Sequence, residues 1–289
     1  MSLSTTEEYV TTKHETRTPV SINSIKNTTL LGVLHKPLRT HNPPLVIIFH
    51  GLASHKCGRK RYLVHLSSKL TKQGCACLRV DLPGSGDSEG SLPDFSLQDF
   101  QNACRDIMAF ALSLENINSS QIAVYGSSLG GSLIISIAKE YPFLKGIVLW
   151  ASVMKGSVWL QDSLHLPIFQ KLSTKGSPKS FIYEGYPLST DFQKEFLLFD
   201  ALSDAINVSP TIPFLYLQSE NDPLISSTHG DLFVNFFTNK GNKTKRIIYP
   251  NTEHHFTESP YYETILSDIT DWLEYNLSST IEKSTPRNS

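Results

Sequence analysis

A serine lies at the centre of a G-x-S-x-G pattern formed by Gly126, Ser128 and Gly130. The apolar run 122–125 leads into this pattern, and the helix-like segment 129–140 follows it directly. A strand that turns at once into a helix holds the central serine on a strained turn, which only small neighbours permit. Glycine and serine are also common in ordinary loops, but this position between a strand and a helix favours a nucleophile.

A serine hydroxyl becomes a good nucleophile when a base takes its proton. The base works best when a carboxylate orients it and stabilises its charged form. For the base, His254 and His255 compete after an apolar run, and for the acid, Asp222 competes with Glu220. We favour Asp222, because it lies farther into its loop, whereas Glu220 at the strand end would more often cap that end. The carboxyl ends of parallel strands converge at one sheet edge, so these groups can meet Ser128 there.

Two backbone N–H groups could hold the negative charge that forms during acyl transfer. One belongs to Leu129, at the start of the helix after the serine. The other belongs to Leu52, in the loop after the apolar run 45–49, where Gly51 lets the backbone approach. We expect His50 to brace this loop rather than to act as an acid or base, although it also remains a candidate for substrate contact.

The elements that must position these residues alternate along the chain. After β-rich runs between residues 10 and 37, strands and helices follow each other in turn, and right-handed crossovers make this order an α/β fold. We predict a mostly parallel central sheet, with an antiparallel lead-in, flanked by helices on both faces. The expected strands are 45–49, 75–81, 122–125, 146–150, 214–218 and 245–250, and the expected helices are 59–73, 97–111, 129–140, 190–206, 231–239 and 261–277.

Regular alternation fails between residues 151 and 206, a stretch too long for a bare loop in a compact domain. We interpret it as a short inserted cap or lid over a pocket. Its aromatic residues Trp159, Tyr183 and Tyr186 are candidates for substrate contact, together with His255, although they would as often be ordinary packing. The expected organisation is an N-terminal extension over 1–19, one domain over 20–277 that includes the lid, and a disordered tail over 278–289.

Composition narrows the classes of partner. The chain has 289 residues, of which 39% are hydrophobic and 18% charged, as in an ordinary globular protein. A net charge of −1 gives no electrostatic footprint for nucleic acid or an anionic membrane. No signal-like start and no run of about 18 apolar residues occurs, so we expect a cytoplasmic protein without an integral membrane segment. The four cysteines lack metal-ligand spacing, and we expect reduced thiols, no metal, no cofactor and a small-molecule partner.

With these residues in place, about residues 20 to 277 resemble the α/β-hydrolase superfamily. Within it, the chain is similar to the group of cinnamoyl and feruloyl esterases, monoacylglycerol-lipase-like proteins and serine-aminopeptidase-like hydrolases. The resemblance favours His254 as the base, since it takes the place of the histidine in the His-x-Phe ending of those loops, and it suggests a lid hinge over 184–192. The segments that carry the resemblance are His50-Gly51, Arg79 to Gly90, Gly126-x-Ser128-x-Gly130, Asp222 to Ile225, and His254.

The resemblance implies a serine hydrolase that cleaves a small carboxylic ester through an acyl-enzyme. Ser128 would be the nucleophile, His254 the base and Asp222 the residue that orients it. An amidase or aminopeptidase, a thioesterase or an acyltransferase could use the same triad. A catalytically inactive binding protein with this fold is the alternative from another class. The physiological substrate and the oligomeric state stay open.

Overall fold

The computed structural model describes residues 10–163, 181–183 and 185–278. The expected tail lies outside these residues except for Ser278, as does the start of the expected N-terminal extension. Within them, the strands are β1 (Val10–Thr11), β2 (Glu15–Asn23), β3 (Thr29–Pro37), β4 (Leu45–Phe49), β5 (Ala76–Val80), β6 (Ile122–Ser127), β7 (Gly146–Trp150), β8 (Phe181–Tyr183), β9 (Tyr186–Leu188), β10 (Phe214–Ser219) and β11 (Thr244–Tyr249). The helices are α1 (Tyr62–Lys72), α2 (Leu97–Leu112), α3 (Leu129–Ile137), α4 (Gly156–Ser163), α5 (Thr190–Leu198), α6 (Ala201–Asp204), α7 (Ser227–Asn239) and α8 (Tyr262–Ser278).

The main sheet of the described residues has the strand order β1-β2-β3-β5-β4-β6-β7-β10-β11. The pairs from β1 to β5 are antiparallel, and every pair from β5 to β11 is parallel. This confirms the predicted, mostly parallel sheet with an antiparallel lead-in. The expected domain boundary after residue 19 falls inside β2, whose nine residues all pair with β3, so the domain begins earlier than predicted.

Hydrophobic side chains are buried on both faces of this sheet, as the continuous apolar runs predict for parallel strands. In β4, Ile47 and Phe49 join the core on one face, whereas Val46 and Ile48 join the core on the other. The first core also contains apolar side chains of α2, α3 and α7, and the second contains those of α1 and α8. The helices therefore cover both faces and leave the carboxyl ends of the strands open for a site.

The first helix begins later than its apolar pattern predicts. Lys60 and Arg61 have positive φ angles of 49° and 63°, and α1 therefore begins at Tyr62 rather than at residue 59. Its end agrees better with the prediction, because Gly74, with φ of 89°, closes the turn after the helix. Arg59 therefore precedes the helix, and it lies near the carboxyl ends of the parallel strands.

The expected lid region contains α4, the β8–β9 hairpin, α5 and α6, and residues 164–180 lie outside the described part. Glu184, where the expected hinge begins, also lies outside it. The helix α5 packs on α2: Phe192 and Phe100 have ring centroids 5.8 Å apart, and the hydroxyl of Ser189 donates to the carbonyl of Phe95 at 2.9 Å. None of the helices in the described ranges combines the length and the apolar character that a membrane span requires.

Candidate active site

A pocket opens at the carboxyl ends of the parallel strands, where the sequence analysis expects the chemistry. Both Ser128 and His254 line it, together with Leu52 from the loop after β4. Trp150, the last residue of β7, and Tyr183, from the lid region, also contribute to its wall. The topology therefore brings together, in one pocket, residues that are up to about two hundred positions apart in the chain.

The turn around Ser128 has the strained geometry that the G-x-S-x-G pattern predicts. Ser128 has φ of 50° and ψ of −123°, between the end of β6 and the start of α3. A Cβ atom on Gly126 would lie 2.5 Å from the Cα of Gly131, and one on Gly130 would lie 2.4 Å from the carbonyl oxygen of His50. Both glycines are therefore sterically required, because the helix packs directly against the strands beside the turn.

The loop after β4 passes close to the serine. A Cβ atom on Gly51 would lie 3.1 Å from the Cβ of Ser128 and 3.7 Å from its Oγ. The next N–H, that of Leu52, and the N–H of Leu129 donate to no other group within the described residues. Unpaired donors in the two segments that adjoin Ser128 are consistent with the expected oxyanion hole, which stays a prediction.

His50 braces this loop and does not reach the pocket. Its Nδ1 donates to the carbonyl of Gly51 at 2.8 Å, and its Nε2 accepts the N–H of Leu82 at 2.9 Å. The side chain is 1% exposed, and burial lowers the pKa of the imidazole to about 4, so the ring is neutral at pH 7. The described pocket wall does not include His50, and both of its ring nitrogens bond to backbone groups, so the structure gives it the bracing role and not the expected contact with substrate.

A buried ion-pair network holds the other end of the same loop. The guanidinium of Arg79 donates to the carbonyl of Lys56 at 2.6 Å. The fully buried carboxylate of Asp81 accepts from the Lys56 ammonium at 2.6 Å and from the N–H of Asp87 at 2.8 Å. Arg79 and Asp81, at the end of β5, thus hold Lys56 in the loop that also carries Leu52. The role of the segment from Arg79 to Gly90 is therefore to support this loop.

The candidate base and acid contact each other directly. The Nδ1 of His254 lies 2.7 Å from Oδ2 of Asp222, and their side chains are 7% and 1% exposed. The other carboxylate oxygen accepts the N–H groups of Leu224 and Ile225, each at 2.9 Å. The carboxylate is therefore fixed in orientation, and it fixes the imidazole in turn. Glu220, the competing acid, has an exposed side chain.

The candidates for substrate contact divide into two groups. Tyr183 and His255 line the pocket beside Ser128, as expected for contact with a substrate. Trp159 is instead buried among lid aromatics, with its ring centroid 5.4 Å from that of Phe196. Tyr186 is 52% exposed on β9, and the pocket wall formed by the described residues includes neither of these two side chains. The lid aromatics thus serve partly in packing, which was the alternative that the sequence left open.

Several residues of the pocket wall were not singled out from the sequence. Among the described residues, they are Ser54, Arg59, Tyr62, Ser127, Trp150, Phe256 and Thr257. The sequence offers one signal for Trp150, its place at the end of the parallel strand next to the one that carries the serine, but many ordinary core residues have the same pattern. Arg59 could not be found from the sequence, because its placement depends on the backbone turns at Lys60 and Arg61. Across the described part of the chain, no group of three or more His, Cys, Asp or Glu side chains has the arrangement of a metal site.

Comparison with known proteins gives the family and the fold of this chain. Residues 40–191 match the family described as serine aminopeptidase, S33. The chain belongs to the serine aminopeptidase S33 family. The matched segment includes the loop after β4 and the turn around Ser128, but it ends before Asp222 and His254. The S33 family match therefore covers the segment around Ser128, whereas the contact between Asp222 and His254 is a finding of the structure.

Two curated proteins are similar to part of this S33 family member. The quorum-quenching protein AidA of Acinetobacter baumannii is 29% identical over 118 residues, which are 40% of this chain and 37% of AidA. An uncharacterized 31.7 kDa protein in the traX-finO intergenic region of Escherichia coli is 28% identical over 127 residues, or 42% of each chain. The chain thus spans about two fifths of the length of the curated relatives it matches.

Solved structures agree over nearly the whole fold. Est1E from Butyrivibrio proteoclasticus, solved with bound ferulic acid, has a TM-score of 0.70 and 20% identity, and the match covers 91% of this chain and 99% of Est1E. The α/β hydrolase GrgF from Penicillium sp. sh18 has a TM-score of 0.70 at 18% identity, with the same coverage of each chain. At these identities the likeness establishes the α/β-hydrolase fold of this S33 family member.

Proposed function

We propose that this protein is a serine hydrolase that cleaves small carboxylic esters through an acyl-enzyme. The observation that carries the proposal is the buried hydrogen bond between His254 and Asp222 at the wall of the pocket that Ser128 lines. A histidine held in this way by a carboxylate has the arrangement that general-base activation of a serine requires. The S33 family membership and the α/β-hydrolase fold support the same chemistry.

In the first half-reaction, the Oγ of Ser128 attacks the ester carbonyl carbon while Nε2 of His254 takes the hydroxyl proton. Asp222 holds the proton on Nδ1 and stabilises the imidazolium that forms. The carbonyl oxygen becomes an oxyanion, which the N–H groups of Leu52 and Leu129 stabilise by about 3 kcal/mol each. The intermediate then collapses: the bond to the alcohol oxygen breaks, and His254 gives its proton to the leaving alkoxide.

In the second half-reaction, water replaces the alcohol. His254 takes a proton from the water while the water oxygen attacks the acyl carbon. The same two N–H groups stabilise the second oxyanion. Collapse of this intermediate breaks the bond to Ser128, and His254 returns the proton to the serine oxygen. The products are a carboxylic acid and an alcohol, and every proton is accounted for without a cofactor.

The charge of the pocket wall favours an ester over a peptide N-terminus as the substrate. Among the described residues that line the pocket, Arg59 has the one permanently charged side chain. An aminopeptidase must bind the α-ammonium group of its substrate, and a carboxylate is the natural partner for such a group. The described wall has no carboxylate, and its one cation, Arg59, pairs with Glu258 at 3.4 Å. Because no described lining residue would bind an α-ammonium group, we propose a neutral or anionic ester.

The nucleophile can be tested with Ser128→Ala. This variant should lose turnover of p-nitrophenyl acetate by at least about 10³-fold, because the remaining site provides only transition-state contacts. Its thermal unfolding should change little, and it should resist labelling by a fluorophosphonate probe. Ser120→Ala is the matched control, since Ser120 is exposed in a loop away from the pocket and should keep both activity and labelling. Retained turnover in Ser128→Ala would refute the proposal.

The type of bond cleaved can be tested with a panel of matched acyl esters, thioesters and aminoacyl anilides. We expect the highest kcat/KM for esters, and higher values for anilides would replace the esterase by an amidase. Wild-type protein that neither turns over any of these substrates nor reacts with the fluorophosphonate would support the inactive binding protein. We also propose that residues 151–206 form a lid over the pocket. We further propose that the protein is cytoplasmic, which cell fractionation would test.

A further inference from the structure

Trp150 connects the nucleophile turn to the loop that carries the histidine. Its backbone carbonyl accepts the N–H of Ser128 at 2.8 Å. Its indole Nε1–H donates to the backbone carbonyl of His254 at 3.0 Å, in a bond that is buried. One residue at the end of β7 therefore holds the backbone of both the proposed nucleophile and the proposed base.

Aromatic packing fixes the indole in this position. Its ring centroid lies 4.4 Å from that of Phe256, two residues after His254, and 6.1 Å from that of Tyr249, at the end of β11. The Trp150 side chain is almost fully buried, so its N–H has no access to water as an alternative partner. The segment from 250 to 255 contains no helix or strand of its own, and the indole bond supplies an anchor at the position where the base must be held.

We propose that Trp150 is a positioning residue for the catalytic histidine. It holds the His254 loop against β7, which lies next to the strand that carries Ser128, and so keeps the imidazole between Ser128 and Asp222. Trp150 acts through the backbone of its two neighbours and supplies no proton. This inference rests on the proposed function, because it assigns to Trp150 a role in the same site.

The first test is Trp150→Phe, which removes the N–H donor but keeps an aromatic ring and the backbone carbonyl that holds Ser128. We expect kcat for p-nitrophenyl acetate to fall by about 10- to 100-fold, because small displacements of reacting groups have effects of this size. KM should change by less than about threefold, since a positioning defect acts on the transition state more than on binding.

The pH profile separates positioning from general loss of structure. If the His254 loop shifts, the imidazolium loses part of its hydrogen bond to Asp222, and the acidic limb of the kcat/KM profile should move to lower pH. A purely structural role would lower the melting temperature and leave the profile of the remaining folded enzyme in place. Trp272→Phe is the matched control, because the Trp272 ring lies against Gly146 at the opposite end of β7.

A double-mutant cycle with Asp222→Asn gives the sharpest result. If Trp150 acts by keeping His254 aligned with Asp222, then Trp150→Phe should reduce kcat much less in the Asp222→Asn background than in wild type. Glu220→Gln, at the exposed carboxylate nearby, is the control background and should preserve the full effect of Trp150→Phe. Additive losses in the Asp222→Asn background, or an unchanged kcat in Trp150→Phe, would overturn the inference.

The failure of this inference differs from a failure of the proposed function. If Ser128→Ala abolishes turnover and labelling but Trp150→Phe has the kinetics of wild type, the hydrolase stands and Trp150 is a packing residue. If Ser128→Ala retains turnover, the nucleophile is wrong, and the role of Trp150 falls with it.

Discussion

Two adjacent histidines show how strongly residue surroundings decide chemistry. His254 is nearly buried and bonded to Asp222, whereas His255 is exposed at the pocket rim, with its ring centroid 5.2 Å from that of His254. A base needs a fixed tautomer and a partner for its charged form, and the described contacts supply both at His254. His255 is exposed and lines the same pocket.

We therefore expect His254→Ala to lower kcat for p-nitrophenyl acetate by at least about 10³-fold, because the serine then lacks its base. His255→Ala is the matched control, and it should keep kcat within about tenfold, with any change mainly in KM. Steady-state kinetics of both purified variants at pH 8 checks the assignment. The larger loss of kcat in His255→Ala would reverse the roles of the two residues.

At the same scale, the sequence could single out Ser128, Asp222 and His254 as candidates, because each follows an apolar run in an order that one known sheet topology displays. The structure brings the candidates to one pocket, and their catalytic roles stay predictions. The sequence could not assign a role to Trp150, because a tryptophan at a strand end has the same pattern as an ordinary core residue. It also could not separate packing from contact among the lid aromatics. Whether Trp159 faces the pocket or Phe196 depends on tertiary packing that no local pattern encodes.

At the scale of elements, the junction of β6 and α3 is the most constrained part of the site. The helix approaches β4 so closely that Gly130 has no room for a side chain, and the atoms in the way are backbone carbonyls of Phe49 and His50. Backbone cannot move aside as the end of a side chain can. The turn geometry and the loop that carries Leu52 are therefore coupled, since a shift of either displaces the other.

Gly130→Ala tests this coupling. We expect at least about a 100-fold loss of kcat and a destabilisation of about 1–3 kcal/mol, because the added methyl group must displace the strand or the helix. Gly230→Ala in α7 is the matched control: its Cβ would meet the ends of the Gln218 and Arg246 side chains, which can rotate away. Urea unfolding and kinetics of both variants check the prediction, and equal effects in the two would contradict it.

Among the elements, the buried strands were the most predictable, because a parallel strand covered on both faces must be apolar throughout. The runs 45–49 and 146–150 match β4 and β7 residue for residue. The start of α1 was not predictable, because the positive φ angles at Lys60 and Arg61 have no signal in residue type. The first boundary of the domain was placed too late, since half of β2 precedes residue 20 and polar residues dominate it.

At the scale of the whole molecule, buried histidines couple the fold to pH. Burial lowers the pKa of His50 and of His229 to about 4, below the ordinary value of 6.5. Between pH 6.5 and 4, the unfolded chain therefore binds protons that the folded chain does not, and acidification favours unfolding. Glu15 adds to this effect. Burial raises the pKa of its carboxyl, but hydrogen bonds, the strongest from His35, outweigh burial and lower the pKa below the ordinary value of 4.5. The folded state therefore loses the stabilisation from the Glu15 carboxylate as the pH falls below 4.5.

We expect the free energy of unfolding to fall on going from pH 7.5 to pH 5 by about 2 kcal/mol for each of the two histidines. Urea unfolding at both pH values measures this change. His229→Asn should remove the part of the fall that His229 contributes, about 2 kcal/mol, because an asparagine oxygen can still accept the N–H of Met154 without titrating. An unfolding free energy that is equal at the two pH values would contradict the prediction.

The backbone conformation of Ser128 lowers the stability of the fold at the position of the proposed nucleophile. Its φ of 50° is a conformation that glycine adopts freely, and holding another residue in such a region costs about 1–3 kcal/mol. Exchanging this serine for glycine should therefore raise the thermal stability while it removes the proposed nucleophile. Heat resistance and the proposed activity would then place opposite demands on this one position.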